Sequence, residues 1–307
     1  MTPRVMAGLD QAADDVGLTV ELLGLRHEDV ASITRRLERS RPDVLASLAA
    51  LPRDALLLRD AMRLDIPTLV VGTTHQFLGL PAVVEDNVQG MNLAMDLLRN
   101  AGHERIGLLI NRWPSPWVFQ RQEAFEKRML LEGLDPNLIG TCWIGSANHP
   151  GYHSEPDGLN TLPRRSLMGG SAFSETLPLD GADKTVIRWL KQTQPTAIVT
   201  ASYVAMETLG DAIGQLGISI PRDLSVVGLD QHPLASQWLG VEPTLAELPL
   251  EAIGRQVAYT SRALADGAEL PEVVRIPFQM RQGRSIAVVE SNTNVRQSVA
   301  RQGSIST

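Results

Sequence analysis

The chain has a single cysteine in 307 residues, Cys142, so no intrachain disulfide can hold it together and its stability must come from a buried core. No apolar run approaches the roughly 20 residues that a membrane-spanning helix needs, and the first ten residues lack the apolar centre of a secretory signal. These absences point to a reducing cytoplasm and to no membrane partner. Basic residues are outnumbered, 28 Lys and Arg against 35 Asp and Glu, for a net charge of −7. General attraction to nucleic acid is thereby excluded, and any DNA contact has to come from a separate basic module.

Catalytic signatures are also missing. No Gly-rich dinucleotide fingerprint opens a strand-to-helix turn, and there is no Walker loop, no nucleophile elbow and no His-Glu-x-x-His pair. With no acid-base pair or activated nucleophile to name, the chain reads as a non-enzyme. Of the six histidines only His149 and His153 are close in sequence. A metal site needs three or four supported ligands, so the sequence implies neither a metal nor a cofactor.

What is present is an alternation of helical and strand-like periods, the mark of an α/β fold with parallel sheets covered by helices. Helices are expected over 5–16, 28–40, 53–64, 88–101, 116–132, 205–216 and 250–265, with Gly17, Gly102 and Gly217 as left-handed caps. Strands are expected at 18–23, 42–47, 67–71, 82–85, 105–110, 197–201 and 225–229, and a final one at 278–288. Asp86 and Asn87 both suit the cap of the helix that follows them. Residues 145–175, rich in Gly, Ser, Pro and His, read as a long surface loop or lid, and 291–307 as a disordered tail. Arg35, Arg36, Arg39 and Arg41, with Glu38 among them, read as a solvated helix face.

In open α/β sheets ligands sit beyond the carboxyl ends of the strands. Asp230 stands at such an end, where a carboxylate either accepts hydrogen bonds from ligand hydroxyls or caps the next turn. Arg121 lies early in its helix, where its guanidinium either clamps vicinal oxygens or is simply solvated. Aromatic residues make up only 4% of the chain, which makes Trp113, Trp117 and Trp238 notable: each is a ring for the face of a sugar or base, or an ordinary packing residue.

Several strings together resemble the effector-binding portion of the LacI/GalR family of bacterial transcriptional regulators. They are Ile66-Pro67-Thr68-Leu69-Val70-Val71, Val84-Glu85-Asp86-Asn87-Val88-Gln89-Gly90, Ala101-Gly102-His103-Glu104-Arg105-Ile106-Gly107, and Gln194-Pro195-Thr196-Ala197-Ile198. To these add the stretch 216–230 ending Ser225-Val226-Val227-Gly228-Leu229-Asp230, then Glu242-Pro243-Thr244-Leu245, Ile253-Gly254 and Arg281-Gln282-Gly283-Arg284-Ser285. The resemblance implies two Rossmann-like lobes joined by three crossing strands, with a small sugar-like effector between them and a homodimer as the working form. It places the crossings near 111–114, 245–248 and 275–277. One lobe then holds 1–111 with 248–275, and the other 112–247 with 276–290. By matching position, Asp230 and Arg121 are similar to the family's effector-contacting carboxylate and arginine.

Two departures stand out. The family's Asn-Asp pair after the Pro-Thr-Ala-Ile strand is replaced by Ser202-Tyr203, which alters one hydrogen-bonding position at the cleft. The family's helix-turn-helix headpiece, hinge helix and first strand would precede residue 5, and nothing here resembles them. The expectation is therefore an unfilled position in the first sheet, with operator DNA contacted only through a headpiece absent from this chain. The alternative is a stand-alone cytoplasmic sugar-binding protein without DNA-binding activity.

Overall fold

The computed structural model describes residues 2–23, 29–48, 55–73, 79–112, 115–145 and 182–289. The stretch read as a loop at 145–175, all but its first residue, and the tail at 291–307 lie outside the described residues, as do Trp113, His149 and His153.

The elements in chain order are α1 (Thr2–Asp15), α2 (Val30–Ser40), β1 (Leu45–Ser47), α3 (Ala55–Arg63), β2 (Thr68–Val71), β3 (Ala82–Glu85) and α4 (Asn87–Asn100). There follow β4 (Ile106–Asn111), α5 (Pro116–Leu131), α6 (Pro136–Ile139), β5 (Thr141–Ile144), α7 (Ala182–Thr193), β6 (Ala197–Thr200) and α8 (Tyr203–Leu216). The chain continues with β7 (Ser225–Gly228), α9 (Ala235–Leu239), β8 (Thr244–Glu247), α10 (Leu250–Ala265), β9 (Val273–Ile276) and β10 (Gln279–Arg281).

Two sheets result. One is parallel throughout, in the order β1-β2-β3-β9. The other runs β10-β8-β7-β6-β4-β5 and is parallel except where β10 pairs antiparallel with β8. The α/β class with parallel sheets is borne out. β4, β6 and β7 are buried at every position, as expected for central strands covered on both faces.

Their period-2 alternation decides which helix each side chain meets. Ile106, Leu108 and Ile110 point into the core that holds Met91, Met95 and Leu98 of α4 and Phe125 of α5. Leu109, between them, points into the core formed by Val186 and Leu190 of α7 and Met206, Leu209 and Ile213 of α8. In the four-stranded unit, α1 and α10 cover one face, and Ile33, Leu37, Leu57 and Ala61 tie α2 to α3.

α1 and α10 touch backbone to backbone. A Cβ at Gly254 would lie 2.0 Å from the Val5 carbonyl oxygen, and one at Gly8 would lie 2.1 Å from that of Glu251. Arg4 reinforces this contact by donating from Nε and Nη2 to the two Glu251 carboxylate oxygens.

The chain passes between the sheets three times: from β3 into α4 at Asp86, from β8 into α10 at Leu248 and Pro249, and from β9 to β10 at Pro277 and Phe278. The resemblance puts these crossings near 111–114, 245–248 and 275–277, with β4 in the amino-terminal lobe; β4 instead lies between β5 and β6 in the six-stranded sheet. The reason is that both edges of β3 are taken, by β2 and β9, so β4 has no place beside it.

Other expectations are corrected as well. Residues 18–23 form no strand; they are irregular, with Val20 and Leu22 exposed. An extended stretch needs a hydrogen-bonding neighbour, and among the described residues β1 has only β2. The last strand stops at Arg281 instead of reaching 288, because the chain beyond it is held mainly by side chains. The buried Ser285 hydroxyl accepts from the Thr244 N–H at 2.8 Å and donates to the Val226 carbonyl at 2.5 Å. The Ala287 N–H donates to Ser225 Oγ at 2.9 Å. Finally, β5, α6, α7 and α9 were not anticipated.

Candidate functional site

The carboxyl ends of both sheets converge on one guanidinium. Glu85 ends β3, Ala201 follows β6, and Asp230 lies two residues beyond β7. Facing them, α5 supplies Trp117, Gln120 and Arg121. Pro116 at the first helical turn suits this start, since its fixed φ is already helical and its missing N–H is not needed there.

Arg121 is only 3% exposed, so its charge needs partners. Its Nε donates to Asn87 Oδ1 at 2.8 Å, and its Nη1 donates to the Ala201 carbonyl and lies 3.5 Å from Asp230 Oδ1. The guanidinium sits 4.7 Å from the centre of the Trp117 ring and 5.5 Å from that of Phe278, both within cation–π range. Among the described residues, Nη2 has no hydrogen bond.

Asn87 is the hub behind this arrangement. Its Nδ2 donates to Gln120 Oε1 at 2.9 Å and to Glu85 Oε1 at 3.4 Å. It is free to do so because Asp86 takes the capping role, accepting from the Gln89 N–H at 3.0 Å. The Gln89 side chain in turn holds the third crossing, accepting from the Phe278 N–H at 2.8 Å and donating to its carbonyl at 3.4 Å. Burial holds the Glu85 carboxyl above its usual range, against the pull of Arg121 and with a further push from Asp230.

The other expected residues divide. Ser202 is buried and occupied: its hydroxyl accepts from the Ala205 N–H at 3.1 Å, capping α8, and donates to Asn111 Oδ1 at 2.6 Å. Tyr203 is the outer layer of a three-ring stack. Its ring centre is 5.2 Å from that of His232, which lies 4.5 Å from that of Trp238. Burial pushes the Tyr203 hydroxyl up to about 12, with Asp230 and Glu207 adding to the shift. Burial pushes the His232 imidazole down. Trp238 is separated from Tyr203 by the imidazole, and its backbone packs against Gly210 of α8.

Trp117, Arg121 and Asp230 are thus brought together, Tyr203 lies within the field of Asp230, and Ser202 and Trp238 serve α8. Glu85, Asn87, Gln120, Phe278 and His232 were missed. One signal was available: of two adjacent residues suited to one cap, only one can take it, which frees the other. Among the described residues no three His, Cys, Asp or Glu side chains gather as a metal cluster. Burial pushes the Cys142 thiol up to about 12, which disfavours the thiolate. No helix among the described residues is long and apolar enough to cross a membrane.

Known proteins share this fold. The profile of a family described as periplasmic binding protein-like domain matches residues 95–286. The HTH-type transcriptional regulator reg1 of Streptomyces lividans is 26% identical over 220 residues, covering 71% of this chain and 56% of that protein. The arabinose metabolism transcriptional repressor of Geobacillus stearothermophilus is 25% identical over 263 residues, 83% of this chain and 64% of that protein. The chain therefore spans between about half and two thirds of the length of these relatives. Among solved structures, a LacI family transcriptional regulator from Enterococcus faecium with bound ribose superposes with a TM-score of 0.69 at 17% identity, covering 94% of this chain and 95% of that one.

Proposed function

The chain belongs to the periplasmic binding protein-like domain family, as the effector-binding portion that LacI/GalR-type regulators carry, and on that premise we propose that it senses a small sugar-like effector and controls DNA binding by a full-length regulator. The observation that carries this reading is the meeting of Arg121 and Asp230 at the strand ends, with Glu85 of the other sheet in the same field and the Trp117 and Phe278 rings within cation–π range of the guanidinium. A carboxylate and a guanidinium bind ligand hydroxyls from both sides of their donor and acceptor sets, and the rings supply flat apolar faces. The ribose held by the Enterococcus faecium structure and the arabinose in the name of the Geobacillus repressor support a pentose or related sugar as the effector class.

One lobe is built on β1, β2, β3 and β9, the other on the six-stranded sheet, and the effector sits between them. Closure of the lobes on the effector is the switch. A ligand that favours the closed state by about 1–3 kcal/mol transmits a useful coupling to an attached DNA-binding module. The regulator works as a homodimer in the cytoplasm, meets operator DNA through a helix-turn-helix headpiece, and carries out no catalysis on its effector.

A calorimetric and thermal-shift screen of the purified chain with sugars, nucleobases and phosphorylated metabolites tests this. A sugar that raises the melting temperature and loses affinity in both Asp230→Ala and Arg121→Ala supports the reading. Binding that survives unchanged in both folded variants refutes the site.

A further inference from the structure

We propose that Arg4 and Glu247 form an electrostatic latch across the second crossing, and that this latch biases the angle between the two lobes. The inference rests on the lobe motion of the preceding subsection and adds the device that tunes it.

The three crossings are held in different ways. The first and third are tied to each other by uncharged bonds: the Asp86 N–H donates to the Ile276 carbonyl at 2.9 Å, and the Gln89 side chain grips the Phe278 backbone at both its N–H and its carbonyl. The second, at Leu248 and Pro249, is flanked by charge. Glu247 is the last residue of β8, on the six-stranded sheet, and Glu251 lies in the first turn of α10, which packs with α1 on the four-stranded one. Arg4 of α1 reaches both. Its Nε and Nη2 take the two Glu251 oxygens, and its Nη1 lies 3.3 Å from Glu247 Oε1. The other Glu247 oxygen lies 3.4 Å from Arg281 Nε on β10. Acid and base thus alternate through Glu251, Arg4, Glu247 and Arg281, in a chain that starts on one lobe and ends on the other.

Among the described residues, Arg4 with Glu247 is the only ion pair that joins the lobes. The two-point grip on Glu251 fixes the guanidinium to its own lobe, so rotation about the crossings is felt at Nη1, where a charged hydrogen bond weakens with distance and misalignment. The four side chains keep between 23% and 44% of their surface in water, so dissolved ions reach the latch and screen it. An exposed pair of this kind changes a two-state ratio by up to about fivefold, which is a bias and not a lock.

Pulsed electron double resonance between spin labels at Met62→Cys on α3 and Gln192→Cys on α7, both exposed, measures the lobe separation in the full chain without any effector, with the buried Cys142 left in place. Glu247→Gln and Arg4→Met are each expected to shift the balance of separations by about twofold to fivefold, and Glu247→Lys, which repels both arginines, by more. The double variant of Arg4→Met with Glu247→Gln is expected to shift it no further than the larger single change, because both remove the same contact. A balance unchanged in folded E247Q and E247K overturns the latch, and so do single effects that simply add. Raising salt from about 10 mM to about 1 M cuts the screening length from about 30 Å to about 3 Å, and is expected to move the labelled parent toward the variants. Separations that do not respond to salt overturn the latch even where a variant fails to fold. Failure here leaves the sugar reading standing, since no effector is present. A chain that binds no sugar, yet shifts with salt as described, refutes that reading and keeps the latch.

Discussion

Arg121 and Asp230 stand 109 positions apart in the chain, yet a guanidinium nitrogen on α5 lies 3.5 Å from a carboxylate oxygen beyond β7. The two are unequal partners. Arg121 is buried and serves three polar groups, whereas the Asp230 side chain is 21% exposed and makes one long contact. Removing the buried partner strands Asn87 Oδ1 and the Ala201 carbonyl along with the carboxylate. Arg121→Met is therefore expected to lower the unfolding free energy by about 3–5 kcal/mol, and Asp230→Asn by clearly less. Urea denaturation of both variants checks the order; equal losses would contradict it.

Glu85 makes stability depend on pH in the opposite sense to an ordinary salt-bridged acid. Burial raises its pKa in the folded chain, so the folded state binds more protons than the unfolded state in the window between the two values. Stability falls as pH rises through that window and stays lower above it. E85Q removes the burden. It is expected to be more stable than wild type at neutral pH, with the difference shrinking as pH falls, measurable as melting temperature against pH.

The contact of α1 with α10 tolerates no side chain at its centre. Gly254→Ala would put a methyl 2.0 Å from the Val5 carbonyl oxygen, which only a shift of the helices relieves. Overpacking of this kind costs about 1–3 kcal/mol, seen as a lower melting temperature. Gly17→Ala is a contrast with a different cause. Its site is open and the cost comes from φ +67° alone.

His103 joins β6, β7 and the chain beyond β10. Its Nδ1 lies 3.0 Å from Thr196 Oγ1, and its Nε2 lies 3.0 Å from Ser225 Oγ and 3.1 Å from the Ala287 carbonyl oxygen. Burial pushes its pKa below the ordinary 6.5. The neutral ring therefore contributes stability that is present above the unfolded value and is lost as pH falls through the folded one. His103→Gln is expected to cost about 1–3 kcal/mol at neutral pH through the bonds it leaves unmade, and to flatten the acid decline. An acid limb as steep as wild type would exclude His103 as its source.

Much of this was legible in local pattern. The apolar period of 250–265, the cap at Gly217 and the buried strand at 225–229 are properties of a dozen neighbouring residues, and the chain adopts them as α10, the end of α8 and β7. Residues 18–23 carry a strand-like pattern too, but a strand is completed by a partner, and the pattern could not say that none of the described residues pairs with it. The site was half legible. Arg121 and Asp230 are singled out by their places at a helix start and a strand end and again by a resemblance distributed along the chain, whereas Glu85 and Asn87, which lie within a matching string, carry no sign that they meet Arg121.

The sequence by itself determined the kind of elements, their caps and the two oppositely charged groups, because helical and strand periods and capping are settled by residues within a few positions of one another. Only the tertiary structure decided that β4 joins the larger sheet, that the first crossing falls at Asp86, and that a second acid shares the guanidinium. Strand partners and the burial of a charge depend on which surfaces fold against each other across a hundred or more residues, and no local pattern records that.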